Sequence, residues 1–110
     1  MSRPVSAAAA ALSLAVLGPF VLASAAFAQT PAKPARLGLC AACHGESGRA
    51  LMKGTPHLAG QDLDYLKTAL AAYRSGARDV AVMRAAVGAL TVDELDALAA
   101  WYAAQPPAPP

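Results

Sequence analysis

The sequence predicts a small all-α protein with one compact domain over residues 35–105. Apolar residues recur at spacings of three and four along two long stretches, the signature of helices with one buried face. No stretch reads convincingly as a strand. Glycine and proline cut the remaining chain into short pieces, so the helices are joined by loops.

Residues 1–28 read as a separate unit. Arg3 and the amino terminus give a weakly positive start, followed by the apolar run AAAAALSLAVLGPFVLASAAFA. Small residues at Ala26 and Ala28 fit the A-x-A rule of a signal peptide, with Gln29 as the new N-terminus. The alternative is an uncleaved anchor, because the run approaches the roughly 20 apolar residues that span a bilayer. Gly18-Pro19 and the alanine-rich end favour cleavage. Residues 29–34 form a proline-containing lead-in expected to be mobile. Residues 106–110 form a proline-rich tail expected to be extended and unpacked.

Within the domain, ARLGLCAACHG reads as a first helix ending at or just after Gly45. ESGRALMKGTPHLAG carries three glycines and a proline and reads as loop. QDLDYLKTALAAYRSG is the clearest helix. Leu63, Leu66, Leu70 and Tyr73 share one face, Asp62 suits its N-terminus and Gly76 its stop. ARDVAVMRAAVGAL reads as part loop, with a short helix after Met83. TVDELDALAAWYAA is the last helix: Thr91 and Glu94 make a capping box, and Val92, Leu95, Leu98, Trp101 and Tyr102 form the apolar stripe.

Charge excludes one class of partner. Without Arg3 the chain holds eight basic and seven acidic residues, too even a balance for nucleic-acid binding. Composition raises a different question. Past residue 28 there is no phenylalanine, the aromatics are Trp101, Tyr65, Tyr73 and Tyr102, and alanine dominates. Such a domain needs a staple, whether disulfide, metal or cofactor.

CAACHG, residues 40–45, holds both cysteines and one of the two histidines. A structural zinc needs four ligands, usually from two separated pairs, and the chain offers only Cys40, Cys43, His44 and His57. A thioredoxin-like redox pair follows a strand, and none precedes Cys40. A disulfide would close a very short loop and stabilise little. C-x-x-C-H as a haem attachment uses every residue: two thiols one helical turn apart add to neighbouring vinyls, and the histidine turns to the iron. Export agrees with this chemistry, and the apolar macrocycle supplies the missing core.

The sixth iron ligand separates a carrier from other haem proteins, since methionine closes the iron and raises the potential. Candidates are Met52, Met83, His57 and Lys53. Met83 follows the long helix, which lets the chain pass round the haem first. Met52 lies eight residues past His44, an extended reach of about 26 Å, but the following loop would have to leave the distal face abruptly. His57 would make a bis-histidine haem of lower potential.

In order, C-x-x-C-H, GTPHLAGQ, the Y-L-x-x-x-L helix, a distal methionine and the closing LAAWY helix resemble a class I c-type cytochrome. The small soluble bacterial mono-haem members are most similar, over residues 35–105. The resemblance implies a cytochrome c-like helical fold wrapped round one haem c. Cys40 and Cys43 would attach it, His44 and Met83 would bind its iron, and the Pro56 carbonyl would accept from His44. Leu98 and Trp101 match positions where first and last helices cross. It departs from the pattern in having Lys53 before Gly54 and Thr55 after it.

The implied function is a periplasmic one-electron carrier and not an enzyme. Its partners would be other redox proteins: an oxidase, a quinol-oxidising complex or a dehydrogenase. Membrane contact would come only through these or an uncleaved anchor. The alternatives are a haem-based ligand-binding or sensor module with a labile sixth ligand, and a small peroxidase-like enzyme with His57 as its distal acid–base group.

Overall fold

A computed structural model describes residues 1–26 and 29–110. Among the described residues it holds four α-helices and no strand: α1 (Leu37–His44), α2 (Leu63–Ser75), α3 (Ala81–Gly88) and α4 (Val92–Ala103). Residues 1–26 form no helix, and no described helix is long and apolar enough to cross a membrane. The expected cleavage point falls at residues 27 and 28, outside the described residues.

Local chemistry fixes most helix ends. The Asp62 carboxylate accepts the Tyr65 amide at 2.8 Å and starts α2. Gly76 ends it in the left-handed conformation at φ 85°. Thr91 and Glu94 close a reciprocal capping box at the start of α4, with bonds of 3.2 and 2.9 Å. The expectation for α3 needs correction. The helix starts at Ala81, so Met83 lies inside its first turn and not ahead of it. Val80 offers no side-chain cap, but Arg84 reaches back to Asp79 at 3.0 Å.

Helix α2 packs against both α3 and α4. The buried core is Leu37, Leu66, Val87, Leu90, Leu95, Leu98, Ala99 and Tyr102, with one member from α1 and most from the C-terminal half. Two polar contacts align these layers: Lys67 pairs with Asp96 at 3.2 Å, and the Arg74 guanidinium donates to the Leu90 carbonyl at 2.8 Å. The stripes run as expected in their middles and fail at their starts. Leu63 and Val92, each the first residue of its helix, are exposed because they project beyond the packed layer. Leu70 and Tyr73 are half-buried against the core.

The segment between α1 and α2 is loop, as its composition dictates. Leu51 N–H donates to the Cys43 carbonyl at 3.0 Å, and the Leu58 and Ala59 amides both donate to Gly48 O. Glycine is required at two of its turns. A Cβ on Gly45, at φ 79°, would lie 2.2 Å from the Arg49 carbonyl oxygen, and one on Gly48, at φ 80°, would lie 2.5 Å from the Ala59 nitrogen. The tail also departs from expectation. Pro107 sits so close to Gly60 that a Cβ there would meet its Cγ at 2.7 Å, so the first residues beyond α4 pack on the loop. In the lead-in, exposed Lys33 pairs with exposed Glu46, a contact worth little in water.

Candidate functional site

The last two turns of α1 carry Cys40, Cys43 and His44. Cysteines three apart lie on one side of a helix, a single turn from one another. Both thiols are free and half-buried. Burial pushes the Cys40 thiol above its ordinary range. His44 is 7% exposed, the one buried polar side chain among the described residues. Its Nδ1 donates to the Pro56 carbonyl at 2.9 Å. A carbonyl can only accept, so the proton sits on Nδ1 and the Nε2 lone pair is left for a metal. A carbonyl partner of this kind also fixes the ring and raises its basicity as a ligand.

The other candidates occupy different settings. Met83, on α3, is half-buried against the same core that Cys40 and Ala41 touch. Met52 is 54% exposed, and Lys53 is exposed with it. The His57 Nδ1 accepts the Ala50 amide at 2.8 Å, pinning the loop across its turn. No group of three or more metal-binding His, Cys, Asp or Glu side chains occurs among the described residues.

Two contacts escaped the sequence reading, which took Trp101 and Tyr102 as apolar stripe and Trp101 also as a helix-crossing position. The Tyr102 hydroxyl donates to the Gly45 carbonyl at 3.0 Å, and the Trp101 indole N–H donates to the Glu46 carbonyl at 2.8 Å. The signal was the phenol itself: a buried tyrosine needs a polar partner. Burial, first among the causes, raises the Tyr102 phenol well above its ordinary value of 10.0. The sign follows from linkage. The unfolded chain ionises this phenol near pH 10 and the folded chain does not, so the contribution is intact below pH 10 and is lost as pH rises beyond it. The holo-protein should lose about 1.4 kcal/mol per pH unit above 10 from this group. Denaturant melts of wild type and Tyr102→Phe between pH 9 and 11.5 check this: the slope should flatten in the variant.

The family model described as Cytochrome c matches residues 26–103. The chain belongs to the cytochrome c family. It is 36% identical over 73 residues to cytochrome c-554(548) of Halomonas halodenitrificans, covering 64% of this chain and 88% of that one. It is 40% identical over 81 residues to the thiosulfate dehydrogenase electron acceptor of Stutzerimonas stutzeri, covering 73% of this chain and 37% of that one. Against cytochrome c4 of Thiocapsa roseopersicina it is 38% identical over 72 residues, covering 66% and 37%. The chain therefore spans most of the first relative and under two fifths of the other two. As a cytochrome c it is a mono-haem electron carrier with an all-α fold. Its cofactor is one covalently bound haem c, which the Cys40, Cys43 and His44 arrangement fits.

Proposed function

We propose that this cytochrome c is exported and works in the periplasm as a one-electron shuttle between redox proteins, without catalysing a reaction of its own. In this reading Cys40 and Cys43 would form the thioethers, and His44 and Met83 would ligate the iron. Residues 1–28 are the signal peptide, 29–34 the lead-in, 35–105 the domain and 106–110 the tail. The bound group supplies a one-electron couple, and the protein's task is to keep both axial ligands in place through the cycle.

The observation that carries this reading is the His44–Pro56 bond at 2.9 Å, which commits one ring nitrogen to the backbone and leaves the other for iron. Three further features support Met83 as the sixth ligand. It is half-buried on the core, whereas Met52 is exposed. It stands beyond α2, so the chain has room to pass round the ring. His57 already spends its Nδ1 lone pair on the Ala50 amide, and its neutral ring then carries the proton on Nε2, with no lone pair free for a metal.

Dehydrogenases, oxidases and quinol-oxidising complexes are the partner classes that suit such a carrier. The printed name of the Stutzerimonas stutzeri relative, an electron acceptor for a dehydrogenase, favours the first. Redox encounters of this kind are weak and bury less than about 1,200 Å².

The experiment is to express the full chain with haem-attachment machinery, recover the periplasmic fraction and run it on a denaturing gel. Haem should stay on the polypeptide, and the purified protein should titrate reversibly as a single one-electron couple. Release of the haem into acid-acetone would falsify covalent attachment, and retention in the cytoplasm would remove the periplasmic assignment.

A further inference from the structure

Two consecutive residues of α4 hold two consecutive carbonyls of the segment that follows His44. Tyr102 binds Gly45 O and Trp101 binds Glu46 O. The same tyrosine is the hub of the loop that returns to His44. Its ring lies so close to Gly48 that a Cβ there would meet Cδ1 at 2.9 Å, and its own carbonyl accepts the Gly60 amide at 3.0 Å. Between Gly48 and Gly60 lies Pro56, the acceptor for His44. Tyr102 therefore touches the chain one residue after His44 and on both sides of Pro56. It is 2% exposed, and Gly45 and Gly48 are buried with it.

We propose that Tyr102 is a positioning residue for the His44 imidazole: its phenol, through Gly45 O, and its ring and backbone carbonyl, through the 48–60 loop, together set the His44–Pro56 hydrogen bond and with it the reduction potential. This rests on the reading of His44 as an iron ligand. The physical link is direct. The closer the Pro56 carbonyl holds Nδ1–H, the more electron density the imidazole offers the iron, and the better ferric iron is stabilised. A looser loop weakens that hydrogen bond and raises the potential. Removing the hydroxyl alone keeps the ring in place, and Gly45 O still accepts the Gly48 amide at 3.3 Å, so Tyr102→Phe leaves no buried carbonyl without a partner.

The test uses the holo-protein in three forms: wild type, Tyr102→Phe, and protein with 3-fluorotyrosine placed at residue 102, whose hydroxyl is the stronger donor. The His44 Nδ1–H exchange rate is followed by NMR alongside the potential. Tyr102→Phe should exchange about fivefold faster, the factor that one hydrogen bond is worth, with a raised potential. The fluorinated form should shift both in the opposite direction. Tyr65→Phe, at an exposed ring, should change neither. If wild type shows His44 bound to iron and the phenylalanine variant keeps the wild-type exchange rate and potential, the positioning role is wrong while the ligand reading stands. If wild type shows no ligated His44, both fall. Should the phenylalanine variant fail to fold, the fluorinated form decides alone, and unchanged values there overturn the proposal.

Discussion

Cys40→Ala combined with Cys43→Ala should leave a chain with no cooperative thermal transition and rapid cleavage by added protease. The reason lies in what the protein has to bury. Among the described residues its core is eight side chains, one of them Ala99, with a single aromatic ring, Tyr102. A domain of fewer than about 80 residues with such a core gains no more than about 3–5 kcal/mol from apolar burial. Of that core, α1 contributes only Leu37. Remove the covalent links and the helix that carries His44 keeps Leu37 as its one fully buried anchor, partly buried contacts such as Ala41, and two aromatic hydrogen bonds beyond its end. Circular dichroism melts of the double variant against the holo-protein measure this. A sharp unfolding transition in the variant would mean that the polypeptide folds without its cofactor.

Met83→Ala should have the second large effect, on the iron instead of the fold. A thioether favours ferrous over ferric iron, so its loss should lower the potential by something on the order of 100 mV, well inside the roughly 0.8 V that axial ligation spans. The variant should also bind cyanide, azide and carbon monoxide more readily than the wild type. Met83 sits in the first turn of α3, half-buried on the core, so truncation also removes some packing. Met52→Ala provides the comparison, because that side chain is 54% exposed and should leave potential and ligand binding unchanged. His57→Ala should likewise leave the iron closed, while freeing the Ala50 amide it now accepts.

How far the sequence revealed this molecule depended on whether a feature was local. Helices α2 and α4 were legible to within a residue because their ends are written in neighbouring residues: Asp62 and Gly76 for one, Thr91 and Glu94 for the other. The start of α3 was missed because Val80, Ala81 and Val82 carry no cap and two are β-branched, a poor helix signal. That turn is held by packing on α2, which a short window does not contain, and by Arg84 reaching Asp79, a local pair that the sequence reading passed over. The Cys40, Cys43 and His44 set was plain because its chemistry lies within five residues. Pro56 came only from the resemblance, twelve residues from His44. The Tyr102 and Trp101 donors, 57 and 55 residues from their acceptors, left no trace beyond the need of a buried phenol for a partner. The fold of Pro107 onto Gly60 was hidden for the same reason.

The most direct measurement is the optical spectrum of the purified ferric protein at neutral pH. Histidine and methionine on opposite faces predict a six-coordinate, low-spin iron with a weak sulfur-to-iron charge-transfer band. The band should disappear on reduction and in Met83→Ala, and persist in Met52→Ala. A high-spin ferric spectrum in the wild type, or a charge-transfer band that survives in Met83→Ala and vanishes in Met52→Ala, would contradict the account.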